Sequence, residues 1–376
     1  MTGADGERAR IRVAVVFGGR SSEHAVSCST AASVLRALDR DRYDVVPIGI
    51  ATDGRWVLVA DDPTPLELRP GHRPEVSGDG PGVLVPTSTA DRSLTVLEPG
   101  EVPRSLGDVD VVLPLLHGPF GEDGTLQGLL ELADVPYVGS GVLASAAAMD
   151  KQFMKVLLAG AGLPVGPHVV ITDAEWQRDP AASAESVAAL GWPVFVKPAR
   201  GGSSIGISKV HRAADLTAAI ESAREHDPKV VVEAAVVGRE IECGVLESLT
   251  GGPPETAPLG EIEVLGGGHE FYDFDAKYLD EEHLRLSCPA DLPDEVAAQI
   301  AAYAVRSFEA LGCEGLARVD FFLTEAGDVV VNEVNPMPGF TPVSMFPLVW
   351  AAAGLDYPAL VDRLLQLALR RRIGLR

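Results

Sequence analysis

A predicted hairpin near the carboxyl end of the chain carries polar side chains where its strands should be buried. The stretch ARVDFFLTEAGDVVVNEVNPMPGF covers residues 317–340. Its flanks are rich in β-branched and aromatic residues and enclose a short polar turn, which predicts two antiparallel strands. With the turn centred on its Ala-Gly pair, Asp320 lies opposite Glu333 and Arg318 lies opposite Asn335. Side chains alternate between the two faces of a strand, so these four share one face.

The two opposed carboxylates indicate a missing cation. Carboxylates directly opposite each other on a sheet repel, so we expect a positive charge between Asp320 and Glu333. Together with Asn335 they offer only hard oxygen ligands, which Mg²⁺ prefers, and the stretch lacks the His or Cys expected for zinc. A solvent-facing polar strip paired with Arg318 is the alternative interpretation of the same residues.

A glycine-rich segment with a preceding lysine predicts a phosphate site. In FVKPARGGSSIGISKV, residues 195–210, Lys197 ends an apolar strand, and a loop of glycines and serines leads into the next strand. Glycines let backbone N–H groups approach an anion, and the lysine adds a point charge. The order is not that of a Walker A motif, where the lysine follows the glycines and a helix comes next. Lys151, in MDKQFMK, is a candidate second cation; a glycine-rich hairpin without a ligand is the simpler alternative.

Two glutamates flank a predicted connection between domains. In VVVEAAVVGREIECGV, Glu233 ends an apolar strand and Glu240 follows a glycine turn. Such a connection can present backbone groups to an adenine and a carboxylate to ribose hydroxyls, although two exposed glutamates would explain the segment taken alone. The three groups of residues together predict a nucleotide held between two sheets, with cations over its phosphates and metal ligands opposite.

Composition limits the possible partners. The chain has 376 residues, 46% of them hydrophobic and 23% charged, as expected for a soluble globular enzyme of two or three domains. An excess of 54 acidic over 31 basic residues gives a formal charge of −23, which argues against nucleic acid as a partner. A polar amino terminus and the lack of an apolar run of about 18 residues predict no membrane association and a cytoplasmic location. The four cysteines lack metal-ligand spacing, so we expect buried thiols.

The order of predicted elements indicates an α/β domain followed by two α+β domains. A strand, a glycine turn, a helix over 28–39 and a second strand form a βαβ unit of a parallel sheet. One helix is expected through 144–162, followed by a small sheet. The predicted domains are an amino-terminal one at 1–140 with an irregular insertion at about 61–105, a central one at 141–237, and a carboxyl-terminal one at 238–376.

Seven segments of the chain, in order and spacing, resemble those of the D-alanine–D-alanine ligases of the ATP-grasp superfamily. The resemblance covers nearly the whole length. It implies a three-domain ATP-grasp fold whose two α+β domains sandwich ATP. It also implies ATP-dependent ligation of two D-alanines through an acyl phosphate, for peptidoglycan precursor synthesis. The segments are GGRSSEHAVS, LHGPFGEDGTLQG, YVGSGVLASAAAMDK, VKPARGGSSIGISKV, FYDFDAKY, LGCEGLARVDFF and NEVNPMPGFTPVSMFP.

The resemblance also implies roles for nucleotide and metal ligands. Two Mg²⁺ ions, replaceable by Mn²⁺, bridge the ATP phosphates. Their implied ligands are Asp320, Glu333 and Asn335. The implied ATP-binding residues are Lys151, Lys197, Ser204, Glu233, Glu240 and Lys277.

The implied substrate site draws on separate parts of the chain. The first D-alanine is bound by Glu23, His117 and Glu122, and the carboxylate of the second by Ser344 and Met345. The implied catalytic residues are Glu23, Ser203, Tyr278, Arg318 and Gly339. Among these, Arg318 and the Gly339 backbone stabilise the acyl phosphate and the tetrahedral centre. Glu23, Ser203 and Tyr278 form a link that closes the FYDFDAKY loop, and the family implies a homodimer.

One position departs from the family, and several alternatives stay open. Pro336 follows Asn335 where members generally have threonine, and proline fixes φ and removes an N–H beside a metal ligand. A D-alanyl-D-lactate ligase is the nearest alternative, although Tyr278 in AKY resembles the dipeptide ligases. Another ATP-grasp carboxylate–amine ligase and a non-catalytic nucleotide-binding protein are further alternatives. A Rossmann dehydrogenase is excluded because GGRSSE lacks the G-x-G-x-x-G spacing.

Overall fold

The structure, a computed structural model, describes residues 10–264 and 284–371. These residues form two compact units. The first comprises 10–116, 126–138 and 357–371, and the second comprises 117–125 and the described part of 139–356. None of the described helices is long and apolar enough to cross a membrane.

The first unit contains a seven-stranded sheet in the order β6-β5-β4-β3-β2-β1-β7. Strand β1, next to the edge strand β7, pairs in parallel with both β2 and β7, as the predicted βαβ unit requires. The other strands extend the sheet in antiparallel fashion. The strands are β1 (Ile11–Gly18), β2 (Tyr43–Ile50), β3 (Trp56–Leu58), β4 (Gly82–Leu84), β5 (Ser93–Leu97), β6 (Arg104–Asp108) and β7 (Val111–Pro114). Its helices are α1 (His24–Ala37), α2 (Thr125–Leu132), α10 (Tyr357–Arg370) and a 3₁₀ turn at Thr64–Leu66.

Two predictions for this unit were wrong in detail. Helix α1 begins at His24, four residues before the predicted start. Buried His24 accepts from the Val76 N–H at 3.0 Å and lies 2.6 Å from the Gly19 carbonyl, and these contacts hold the first turn. The segment expected to be irregular supplies β4, β5 and the start of β6. Strand β5 alternates in burial over only five residues, and strands this short depend for their stability on pairing with neighbours.

The second unit contains a four-stranded antiparallel sheet in the order β10-β9-β11-β8. Valines from its strands and Ile220 form its core. Strand β8 and helices α5 and α6 were not predicted. The elements are β8 (His168–Ile171), β9 (Val194–Pro198), β10 (Ser208–Val210), β11 (Val230–Ala234), α5 (Asp173–Arg178), α6 (Pro180–Ala188) and α7 (Ala213–Arg224).

The helix expected through 144–162 is broken into α3 (Val142–Met149) and α4 (Lys151–Gly160). At the break, Asp150 has extended backbone angles, and its side chain accepts from the N–H groups of Gln152 and Phe153. Asp150 is therefore the N-cap of α4. The sequence pattern hides the break because both helices bury apolar faces, and the cap places Lys151 in the first turn of a new helix.

The same unit contains a second sheet, of six strands, in the order β15-β14-β12-β16-β17 with β13 paired to β12. Helix α8 packs on it through Ile300, Ala304 and Phe308 and ends at Gly312, which adopts the left-handed conformation. The elements are β12 (Gly238–Leu246), β13 (Glu255–Thr256), β14 (Gly260–Val264), β15 (Leu284–Ser287), β16 (Leu316–Thr324), β17 (Val329–Asn335), α8 (Asp294–Leu311) and α9 (Met345–Ala352).

The predicted hairpin is formed by β16 and β17, and its register is confirmed at the polar end. Asp320 pairs with Glu333, and Arg318 pairs with Asn335. Nearer the turn, however, the register differs by one residue, because β17 contains a bulge at Asn332. Without the bulge Asp320 would pair with Asn332. The bulge is therefore what brings the two carboxylates opposite each other, in keeping with the frequency of bulges beside active sites.

Candidate active site

The polar end of the hairpin is a compact cluster. Arg318 donates from Nε and Nη2 to the two oxygens of Asp320, both at 2.7 Å. The Asn335 side-chain nitrogen lies 3.0 Å from Asp320 Oδ2 and 3.5 Å from Glu333 Oε1. Asp320 is buried and the other three side chains are partly buried. The structure thus brings together all four residues that the sequence singled out here.

A third carboxylate, not predicted from the sequence, completes this cluster. Glu242 on β12 is in register with Asp320 on β16, so Glu242, Asp320 and Glu333 follow one another across three adjacent strands. Glu242 Oε2 lies 3.2 Å from Arg318 Nε. Burial by itself would lower the pKa of Arg318, but Asp320 and Glu242 raise it well above its ordinary value. The signal in the sequence was the alternation of Glu240 and Glu242, which places both on one face of β12.

Three lysines and one carboxylate form a second cluster, on α4 and the four-stranded sheet. Glu233 accepts from Lys197 at 2.8 Å through Oε2 and lies 3.2 Å from Lys155 through Oε1. Burial would raise the pKa of Glu233, but Lys197 and Lys155 together lower it to about 2. Burial would lower the pKa of Lys197, yet Glu233 holds it above its ordinary value.

Lys151 is tied to the glycine-rich loop. Its Nζ donates to the Gly201 carbonyl at 2.8 Å, and its backbone N–H donates to the Ala199 carbonyl at 2.9 Å. Burial lowers the pKa of Lys151, and nearby Glu333 opposes that effect. Since Glu333 also acts electrostatically on Lys155 and Lys197, the two clusters lie within each other's electrostatic reach.

Ion pairs behind the lysines hold the loop and the helix start. Arg200 makes a bidentate pair with Asp227, with both distances 2.9 Å. Lys229 donates to Asp150 at 2.5 Å and lies over the Phe153 ring at 4.7 Å. Because Asp150 caps α4, this pair fixes the turn that carries Lys151.

Comparison with known proteins identifies the family of the chain. A family model described as the D-ala D-ala ligase amino terminus matches residues 12–140, and one for the carboxyl terminus matches 157–366. The chain belongs to the D-alanine–D-alanine ligase family. It is 64% identical over 371 residues to a D-alanine–D-alanine ligase of Kineococcus radiotolerans, covering 97% of this chain and 98% of that protein. It is 58% identical over 375 residues to one of Pseudarthrobacter chlorophenolicus, covering 100% of this chain and 98% of the relative.

Solved structures of the family share the fold. The VanG D-Ala:D-Ser ligase of Enterococcus faecalis superposes with a TM-score of 0.81 at 34% identity, over 96% of this chain and 99% of that one. The D-alanine–D-alanine ligase of Coxiella burnetii superposes with a TM-score of 0.79 at 33% identity, over 96% of this chain and 94% of that one. The expected ATP-grasp fold, α/β followed by α+β, is confirmed.

The serine loop of this ligase-family chain has an unusual backbone. Ser203 and Ser204 both have positive φ, 46° and 59°. Consecutive left-handed residues other than glycine are uncommon and cluster at ligand-binding loops. The conformation agrees with a ligand-binding role for both serines, which stays a prediction.

The residues expected around the second amino acid lie close together. A Cβ atom added at Gly339 would lie 3.3 Å from Ser344 Oγ, which also lies 2.8 Å from Thr341 Oγ1. Ser344 is the N-cap residue of α9. Met345 is buried, and a side chain at Gly260 would overlap its thioether. Any contact of Met345 with a carboxylate would therefore come from its backbone N–H at the helix start.

The other expected residues lie in two places. Glu23, in the first unit, is buried directly before α1. In the loop 117–125 of the second unit, His117 is buried and Glu122 accepts from the Gly118 N–H at 2.5 Å, so Glu122 helps to shape the loop. Their substrate roles stay predictions. Lys277 and Tyr278, with the FYDFDAKY loop, lie outside the described residues.

Lys155 and Glu242 are the residues that sequence reasoning missed. Lys155 follows Lys151 by four positions in MDKQFMK, so both share one face of α4. Pro336, which departs from the family, lies beyond the end of β17, and Asn335 keeps its register with Arg318.

Proposed function

We propose that this chain joins two D-alanine molecules into D-alanyl-D-alanine at the expense of ATP, for peptidoglycan precursor synthesis. The carboxylate of the first D-alanine attacks the γ-phosphorus of ATP, which gives an acyl phosphate and ADP. The amine of the second attacks the acyl carbon, and inorganic phosphate leaves as the peptide bond forms. The observation that carries the proposal is the pairing of a lysine cluster with an acidic cluster in one unit of a chain of this family.

The lysine cluster suits the phosphates of ATP. Lys151 and Lys197 are charged donors beside a loop with accessible backbone groups, an arrangement that binds anions. We assign the phosphates to these lysines, with Ser204 and Lys277. Glu233 and its backbone neighbours face the adenine, and Glu240, whose charge acts on Lys197, meets the ribose.

The acidic cluster fits divalent ions. We propose that Asp320 and Glu333 hold the ions together with the side-chain amide of Asn335. The amide nitrogen donates to Asp320 Oδ2 at 3.0 Å, so the amide lies beside this carboxylate, and its oxygen would be the atom that ligates an ion. When bound, the ions would supply positive charge that offsets the negative charge of the phosphates. We propose two Mg²⁺ ions here, with Mn²⁺ as a substitute.

The chain's own residues orient and stabilise the reacting groups. We propose that Glu23 holds the first D-alanine's ammonium, with His117 and Glu122. Arg318, kept positive by its carboxylates, stabilises the acyl phosphate, and the Gly339 N–H stabilises the tetrahedral oxyanion. Ser344 and Met345 hold the second carboxylate. Ser203 joins Glu23 and Tyr278 in the link that closes the loop, because water would hydrolyse the acyl phosphate.

The domain boundaries, the homodimer and the cytoplasmic location stay predictions. We propose that the two sheets of the second unit belong to separate ATP-grasp domains, 141–237 and 238–376, after a substrate domain at 1–140. Light scattering of the purified chain at micromolar concentration tests the dimer. A mass of one chain at all concentrations would contradict it.

The reaction is tested by phosphate release from the purified chain with ATP and Mg²⁺. D-alanine, L-alanine, D-alanine with D-lactate, and D-alanine with D-serine are compared, and products are identified by mass. We expect release with D-alanine alone and the dipeptide as product. The ester as main product would favour the D-lactate alternative. If D-alanine gives no phosphate release although MgADP binds tightly, the substrate would be another amino acid.

A further inference from the structure

Lys155 has no role in the reaction described so far, yet it is the most deeply buried of the three clustered lysines. Its side chain is 2% exposed, against 14% for Lys197. We propose that Lys155 is a positioning residue, the permanent counter-ion of Glu233, which leaves Lys197 able to exchange that carboxylate for a nucleotide phosphate. The inference rests on the proposed function, because it takes Lys197 as a phosphate ligand.

The geometry divides Glu233 between the two lysines. Lys155 faces Oε1 at 3.2 Å and Lys197 faces Oε2 at 2.8 Å. Each lysine has its own oxygen, so either can leave without displacing the other. Lys155 also lies 3.5 Å from the Asn332 carbonyl, at the bulge of β17. Since the side chain of Lys155 is less exposed than that of Lys197, Lys197 is the more accessible of the two to a ligand.

The counter-ion matters energetically when Lys197 exchanges the Glu233 carboxylate for a phosphate. A buried carboxylate that loses its only partner becomes an uncompensated charge, and breaking such a pair is strongly unfavourable. With Lys155 in place, Glu233 keeps a counter-ion before and after nucleotide binding. Without Lys155, phosphate binding would have to overcome the full attraction between Glu233 and Lys197, so Lys197 would stay on the carboxylate.

The pair also explains why the site tolerates three clustered lysines, of which Lys151 and Lys155 are buried. Glu233 offsets the repulsion that Lys151, Lys155 and Lys197 exert on one another, and two positive charges remain in excess for an anion. A lysine that served only to fill space would not need a carboxylate oxygen to itself. Replacement by an apolar chain of similar length would then leave nucleotide affinity unchanged.

The test measures MgADP binding to the full chain by calorimetry, with thermal unfolding alongside. We expect Lys155→Met to weaken MgADP about tenfold to hundredfold, since one buried charge loses its partner on binding. The KM for D-alanine should change less than twofold. Lys209→Met, on β10 of the same sheet, is the matched control and should bind as the wild type does.

A double variant separates positioning from packing. In Lys155→Met/Glu233→Gln no carboxylate needs a counter-ion, so its MgADP affinity should lie within about threefold of that of Glu233→Gln alone. Unchanged affinity in Lys155→Met, with only a lower Tm, would overturn the inference. If Lys155→Met does not fold, the double variant decides: binding more than tenfold weaker than Glu233→Gln overturns the counter-ion role. Absence of MgADP binding by the wild type would instead contradict the proposed function.

Discussion

The two clusters of the second unit mirror each other in charge. The lysine cluster holds three cations around one carboxylate, Glu233. The acidic cluster holds three carboxylates around one cation, Arg318. In both, the single opposite charge is shared between two partners: Lys155 and Lys197 share Glu233, and Asp320 and Glu242 share Arg318.

The difference in sign indicates which ligand each cluster is suited to bind. The lysine cluster has an excess of positive charge, which favours an anion, and the acidic cluster has an excess of negative charge, which favours cations. A nucleotide triphosphate with divalent ions supplies both in one molecule. In the absence of a ligand, Glu233 reduces the repulsion among the lysines, and Arg318 reduces the repulsion among the carboxylates. The net charge of −23 gives no sign of the lysine cluster, because it is a sum over the whole chain.

The largest effect is expected when one charge is removed from the acidic cluster. Glu333→Gln keeps the shape of the side chain but not its charge. We expect kcat for phosphate release to fall about 100-fold or more, since metal-held charge contributes several kcal/mol. Glu325→Gln, at the exposed turn of the same hairpin, is the control and should match the wild type. Near-normal turnover of Glu333→Gln at saturating Mg²⁺ would remove Glu333 from the metal site.

Removing a lysine from the lysine cluster should change the KM for ATP and leave the Mg²⁺ dependence nearly unchanged. Lys151→Met is expected to raise the KM for ATP about tenfold to hundredfold, because a charge-assisted hydrogen bond contributes about 1.5–3 kcal/mol. Its Mg²⁺ dependence should stay close to that of the wild type. Initial rates over a grid of ATP and Mg²⁺ concentrations measure both. A larger change in Mg²⁺ dependence than in the KM for ATP would show that the clusters do not divide the ligand as proposed.

The smallest expected effect is on how thermal stability depends on pH when Glu233, the one carboxylate of the lysine cluster, is replaced. The pKa of Glu233 is lowered to about 2, so its ion pairs stabilise the fold above about pH 4.5 and are lost as pH falls towards 2. Glu233→Gln lacks this contribution. We expect its Tm to lie several degrees below that of the wild type at pH 7, and the difference to shrink between pH 4.5 and 2. A constant difference across that window would mean that Glu233 is not held ionised by the lysines.

Much of the acidic cluster could be predicted from the hairpin alone. A turn between two apolar strands sets the register within one residue, and strand alternation then places Arg318, Asp320, Glu333 and Asn335 on one face. The prediction was right at the site although it was off by one residue near the turn, because the bulge at Asn332 restores the pairing. A bulge depends on packing around the strand and has no reliable sequence signal.

The partners across the sheets could not be predicted in the same way. Glu242 meets Arg318 only because β12 lies beside β16 in register. Lys155 meets Glu233 only because the fold brings α4, which begins after the break at Asp150, close to β11. These contacts join positions far apart in the chain, and local propensity contains no information on them.

By itself, the sequence determined the chemical types and their local spacing: opposed carboxylates, a lysine before a glycine loop, and the order of motifs that indicates the ligase family. These follow from short-range geometry, because strands alternate and helices repeat within a few residues. Only the tertiary structure decided which charges share a partner. That choice depends on burial, since a charge removed from water requires a close counter-ion, and the folded chain alone determines which one is within reach.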